Sequence, residues 1–279
     1  MDAELIAQTD PDAYFVPLGG GRYAPTAHAG GAWADDEMHF SPLGGLITHE
    51  ILRFAGGSGG SGAAGGAGGS ALQLARISFD ILGFLALDEV EVAVQTVRPG
   101  RTIELVEATV VIRGRTAVRA RAWLLSAFDT AEVAGGAPEP LPAPETATPW
   151  SMSADWIGGY VSSLDSRAVR PPQAGRGTAW LSTHCALVEG EEVDPVAAWI
   201  TLVDTANGVA VREHPTRWMF PNVDLTIHLH RAPSGGWLGL DTEVVFGASG
   251  LGVTRSVLHD RDGAVGFAEQ ALTVRRLNE

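Results

Sequence analysis

The chain has 279 residues, enough for one large domain or two of ordinary size, with 45% hydrophobic and 19% charged residues, a normal balance for a globular protein. Its formal charge is −14 and its 19 basic residues are all arginine, scattered along the chain. This argues against nucleic acid or an anionic membrane surface as the main partner. Cys185 is the only cysteine, which excludes an internal disulfide and a cysteine-rich zinc site.

The N-terminal stretch MDAELIAQTDPDAYF has neither a basic n-region nor an apolar h-region, and no apolar run reaches 18 residues. No membrane span is expected, and the cytoplasm is the simplest location. The first structured signal is Ser41-Pro42 ahead of LGGLITHEILRF. Serine as N-cap with proline at the first helical position predicts a helix, and Gly56 predicts its end. The stretch GGSGGSGAAGGAGGS, 56–70, reads as a flexible loop. It lacks the terminal lysine and strand-to-helix setting of a phosphate-binding loop.

Four strands are predicted next, ARISFDIL, EVEVAVQTV, TIELVEATVVI and TAVRARAWLLS, with a hairpin at Arg113-Gly114-Arg115. The Pro-, Ala- and Glu-rich segment 129–149 reads as a linker between an N-terminal unit, 1–128, and a C-terminal unit, 150–279. Asp194-Pro195 then repeats the helix-start signal, and the second helix is expected to run to about Asn207. NVDLTIHLHR, WLGLDTEVVF, VTRSVLH and AVGFAEQALTVRR follow as strands, with a turn at Asp260-Arg261-Asp262-Gly263. A helix followed by antiparallel strands, twice in one chain, predicts an α+β pseudo-dimer.

That duplicated order, with SPLGGLITHEIL, RPGRTIELVEATVVIRGR, LVDTANG, NVDLTIHLHR and AEQALTVRR, resembles the TesB-like acyl-CoA thioesterases. The resemblance implies a double hotdog fold, two antiparallel sheets each wrapped around a central helix. It also implies hydrolysis of acyl-CoA thioesters without cofactor, metal or covalent acyl-enzyme. The family's catalytic Asp falls on Asp204 and its Gln on Gln270; its hydroxyl position falls on Asn222. Asn222 is a departure, because an amide cannot donate and accept through one atom as a hydroxyl does.

The residues themselves carry part of this reading. Asp204 lies at the border of the stripe formed by Val196, Trp199, Ile200 and Val203, in the expected last helical turn. Partial burial and the helix dipole would both raise its pKa, which suits a general base near neutrality. A solvated edge aspartate is the alternative. Gln270 shares a strand face with Ala264, Gly266, Ala268, Leu272 and Val274, where an amide must find a partner. Alternation puts Asn222 on the polar face with Asp224, Thr226, His228 and His230, and an ordinary strand-start role stays open.

Gly44 and Gly45 fall in the expected first helical turn, where free N–H groups could hold an oxyanion; close packing against the sheet is the other explanation. His228 and His230 form no metal set with acidic or cysteine partners, so no metal is expected. His39 and His49 bracket the helix start, without the Asp-x4-His spacing of a hotdog dehydratase. The substrate is expected to be an acyl-CoA or acyl-pantetheine, and free sheet surface suggests a homo-oligomer. A non-hydrolytic acyl-thioester-binding module, or other chemistry such as dehydration or cyclisation, remains open beside hydrolysis.

Overall fold

The computed structural model describes residues 12–57 and 72–277. The stretch 56–70, expected to be a loop, therefore lies almost wholly outside the described residues, as do the first eleven residues.

The described residues open with a hairpin that composition did not announce, β1 (Ala13–Gly19) and β2 (Arg22–Pro25). Helix α1 (Phe40–Gly56) follows, and buries Leu43, Leu46, Ile47 and Ile51 completely. Each such side chain contributes roughly 1.5–3 kcal/mol relative to exposure. The N-cap is His39, not Ser41: the His39 Nδ1 accepts from the Ser41 N–H at 3.1 Å. Ser41 and Pro42 sit inside the first turn because Phe40 is drawn into the core, where its ring meets Phe79 edge-on.

The four expected strands are present as β3 (Leu72–Ile81), β4 (Val90–Arg98), β5 (Ile103–Ile112) and β6 (Arg115–Ser126). The turn between β5 and β6 places Arg113 at φ 51° and Gly114 at φ 71°. Those values are the left-handed pair that a two-residue hairpin needs.

Between β6 and the second helix lie β7 (Thr148–Trp150), α2 (Gly159–Ser162), β8 (Leu164–Ala168), β9 (Arg176–Thr183) and β10 (Ala186–Val188). The proline-rich connection is tied to the second half. The Trp180 indole donates to the Pro142 carbonyl at 2.8 Å, Arg261 pairs with Glu145, and Pro144 is buried.

The second helix departs from expectation. It is broken into α3 (Pro195–Ile200), a 3-10 turn over Val203–Thr205, and α4 (Ala206–Val209). Asp194 caps α3 by accepting from the Val196 N–H at 2.8 Å, as its sequence position predicts.

Strands β12 (Asp224–Leu229), β13 (Leu238–Phe246), β14 (Leu251–Asp260) and β15 (Gly263–Thr273) complete the second half. A short ribbon of β11 (Trp218–Met219) and β16 (Arg275–Arg276) lies apart from the main sheet. Among the described residues fourteen strands form one sheet in the order β10-β1-β2-β4-β5-β6-β3-β12-β15-β14-β13-β9-β8-β7. The halves join where β3 and β12 pair antiparallel, with Thr226 opposite Ser78 and Asp224 opposite Asp80. The end of β3 therefore lies beside the start of β12. α1 packs on β4 and β5, and α4 on β9, β13 and β14, so each half wraps its sheet around helix as a double hotdog does.

The two helices meet at Gly45. A Cβ there would overlap the Thr201 hydroxyl and come within 3.2 Å of the Ala197 carbonyl. This close crossing sets the start of α1 beside the broken turn that carries Asp204. None of the helices among the described residues is long and apolar enough to cross a membrane.

Candidate active site

Asp204 sits in the 3-10 turn, 4% exposed, on the wall of a cavity of about 330 Å3. The first half contributes His39, Phe40, Phe84 and Leu85 to this cavity, and the second Asn222 and Val223, so the site belongs to the seam between them. Two amides converge on one carboxylate oxygen. Asn222 Nδ2 donates to Asp204 Oδ1 at 2.7 Å, and Gln270 Nε2 donates to the same atom at 2.8 Å. The three residues named from the sequence are thus in direct contact.

Each is placed by its local structure. Gln270 lies on the inward face of β15 with buried Ala268 and Leu272. Asn222 precedes β12, before regular alternation begins. It turns inward, while Val223 is 46% exposed. The strict polar-face assignment therefore fails at this end of the strand. A second bond, from Asn222 Nδ2 to the Asp224 carbonyl at 3.0 Å, fixes the amide's orientation.

Burial raises the Asp204 pKa to about 7, and the bonds from Asn222 and Gln270 oppose that rise. The helix dipole invoked from sequence is not the cause, because the helix is interrupted before this residue. Asp204 Oδ2 accepts from neither amide; it faces His39 Nδ1 at 3.9 Å. That nitrogen already accepts from the Ser41 N–H, so it brings no proton to the carboxylate. A second carboxyl on the cavity wall, Glu37, is also raised to about 7, by burial and by neighbouring Asp36.

Gly44 and Gly45 are not brought to the cavity. α1 begins at Phe40, so both lie in its second turn, where their N–H groups are used within the helix. Gly45 serves the crossing with Thr201, and Gly44 leaves room for the Phe40 ring, 3.3 Å from a hypothetical Cβ. Phe40, the first helical residue, lines the cavity, and its N–H has no acceptor within the helix. His39 and Phe40 are site residues beyond those expected from the sequence. A histidine immediately ahead of Phe40-Ser41-Pro42 was the available signal, because a side-chain acceptor at that position can cap a helix.

His49, the other histidine near α1, is buried elsewhere, with Nε2 3.4 Å from Glu191 Oε2. His228 is exposed on the outer face of β12.

Two family models match the chain: the acyl-CoA thioesterase N-terminal domain over residues 30–125 and the C-terminal domain over 137–274. The chain belongs to the acyl-CoA thioesterase family. It is a thioesterase enzyme of double hotdog fold. Similar solved structures include acyl-CoA thioesterase II TesB2 from Mycobacterium marinum, with TM-score 0.61, 15% identity, and 95% of this chain and 96% of that chain covered. The TesB protein of Mycobacterium avium subsp. paratuberculosis matches with TM-score 0.59 and 15% identity, covering 94% and 95%. A hot dog fold protein of unknown function from Alicyclobacillus acidocaldarius gives TM-score 0.67 and 12% identity, covering 95% and 97%. At these identities the likeness is one of fold. No protein of curated function matches the sequence.

Proposed function

We propose that this thioesterase hydrolyses acyl-CoA thioesters by direct attack of water, with Asp204 as general base. The observation that carries the reading is the division of labour within one carboxylate. Oδ1 is held by Asn222 and Gln270, and Oδ2 is left free on the cavity wall with a pKa of about 7. A base poised near the working pH combines a useful ionised fraction with a useful driving force for proton transfer.

Water attacks the thioester carbonyl carbon and gives its proton to Oδ2. The resulting oxyanion collapses, the carbon–sulfur bond breaks, and the proton on Asp204 passes to the departing thiolate. The products are the free acid and free thiol. Asn222 takes the place of the family hydroxyl by orienting the base through Nδ2, which needs only a donor. Gln270 acts through the same kind of contact: its Oε1 is sealed from the cavity, and its Nε2 holds Asp204 Oδ1 so that Oδ2 is presented to the water.

The acyl chain occupies the space between Trp33, Met38, Phe84 and Leu85 in this reading. Arg275, the one arginine on the cavity wall among the described residues, is available to the phosphates of CoA or of a phosphopantetheine arm. The exposed cross-strand pair Val245 and Val253, with nearby Leu251, offers an outer sheet surface for a homo-oligomer. Single-turnover hydrolysis in heavy-oxygen water tests the chemistry. Label is expected in the product acid, and label found first in the Asp204 carboxylate would overturn direct attack.

A further inference from the structure

His39 is placed as a working group by two contacts, neither of which involves Asp204 as an ion-pair partner. Its Nδ1 accepts from the Ser41 N–H at 3.1 Å. Its ring lies against Tyr160, with centroids 4.3 Å apart and planes tilted by 33°. Tyr160 is itself fixed, its hydroxyl donating to the Thr201 carbonyl at 3.1 Å and bonded to the Thr205 hydroxyl at 2.7 Å. The ring therefore can neither flip nor swing without losing the helix cap or the stack.

The tautomer follows from the cap. A nitrogen that accepts a backbone N–H carries no proton, so neutral His39 holds its hydrogen on Nε2. Enclosure keeps the ring neutral: its pKa is lowered to about 3. Nε2 has no hydrogen-bond partner among the described residues, and it is not among the sealed polar atoms. His39 lines the cavity that Asp204 lines, and its side chain is 14% exposed. A fixed, uncharged imidazole thus stands on the cavity wall that Asp204 shares, with Nδ1 toward the carboxylate and the Nε2–H unpartnered among the described residues.

We propose that His39 is a catalytic electrophile of the thioesterase, donating Nε2–H to the thioester carbonyl oxygen and, with the Phe40 N–H, holding the oxyanion. The inference rests on the hydrolytic reading above and supplies the oxyanion donor that Gly44 and Gly45 do not. A neutral imidazole suits this role, because an imidazolium here would pair with Asp204 and depress the base that the reaction needs. As water bonds to the carbonyl carbon, negative charge grows on the carbonyl oxygen. The Nε2–H bond strengthens with it, the proton staying on nitrogen throughout. The charge leaves the oxygen when the carbon–sulfur bond breaks.

His39→Asn separates this role from capping. Asparagine is among the preferred N-cap residues, so its amide oxygen keeps the Ser41 N–H satisfied while the Nε2–H donor is lost. Loss of one preorganised oxyanion donor costs about 100- to 1000-fold in kcat. H39N is expected to keep the wild-type melting temperature within a few degrees, keep KM within a few-fold, and lose kcat by that factor. Wild-type kcat in a folded H39N would leave His39 as a helix cap alone.

A second readout does not depend on Asp204 being the base. In a ketone analogue of acyl-CoA, with CH2 in place of sulfur, the bound carbonyl stretch should fall to lower frequency in wild type than in H39N. Equal frequencies in the two proteins would overturn the proposal even if hydrolysis itself proceeds as described.

Discussion

Gln270 on β15 and Asp204, 66 residues earlier, meet through one hydrogen bond of 2.8 Å, and that bond is buried. With the Asn222 bond to the same oxygen, it holds a carboxylate in place without supplying the charge that would collapse its pKa. No arginine pairs with Asp204 among the described residues. The arrangement lets burial raise the pKa while two neutral donors limit the rise.

Hydrolysis should depend on the ionisation of this group. kcat/KM is expected to climb with pH and level off above about 7, the value to which Asp204 is raised. Asn222→Ala removes a bond that favours the ionised form, so the acidic limb should move to higher pH and kcat should fall about tenfold. A pH–rate profile of both proteins reads this directly. A limb that stays in place in N222A would show that the amide does not act on the base.

The same shift has a cost in stability, with a definite sign. A carboxyl whose pKa is raised on folding binds protons more tightly in the folded state. Stability from this group therefore falls as pH rises from the unfolded value of 3.8 through about 7. The penalty is fully present above about 7, and a rise of this size corresponds to as much as ~4 kcal/mol. Asp204→Asn keeps the Oδ1 acceptor and removes the charge. It should melt higher than wild type at pH 8 and show little advantage at pH 4.

Gly45 is expected to matter for assembly of the helix pair. Gly45→Ala forces the new methyl into the Thr201 hydroxyl and should destabilise by roughly 1–3 kcal/mol. Gly44→Ala meets only the Phe40 ring and should cost less. Denaturant melts of the two variants test the order. A G45A protein of full stability but with little activity would restore a direct role for that glycine.

Much of this was legible in the residues. β-branched alternation marked all eight strands of the two long sheet runs, and Arg113-Gly114 marked a hairpin whose backbone angles require such a pair. The strands toward the two ends of the sheet, β1, β2 and β7 to β10, are short or carry glycine and polar residues, so periodicity over them is weak. The break in the second helix was hidden because Thr201 and Leu202 are compatible with a helix. Tertiary contact with Gly45 and Tyr160 accompanies a turn that local propensity does not forbid. Asp204 and Gln270 stood out because each is polar on an apolar face. Asn222 was harder, since its inward turn occurs before the strand becomes regular. His39 was hardest, because histidine is not a usual cap and its partner is a backbone N–H.

Away from the site, Arg231 and Asp260 form a two-pronged ion pair at the end of β14. Arg231 Nη1 lies 2.6 Å from Oδ2 and Nη2 lies 2.5 Å from Oδ1, with the Asp260 side chain fully enclosed. The Ser234 N–H adds a bond at 2.8 Å. The Asp260 pKa is lowered by these donors, although its own burial works against them. Its contribution is present above the unfolded carboxyl value and is lost as pH falls through the folded one. Asp260→Ala should cost about 3–5 kcal/mol at neutral pH, because Arg231 is left half-enclosed without its partner. The loss should shrink in acid. A penalty independent of pH would assign the effect to packing.

The central claim is that Asp204 takes the proton from the attacking water. The most direct test is thiol release from short, medium and long acyl-CoAs by wild type and Asp204→Asn, both at pH 8 where the variant is expected to be folded. The account predicts release by wild type and a loss of about 100-fold or more in D204N, the contribution of a positioned general base. Equal rates in a folded D204N would contradict it and move the base to another residue of the cavity.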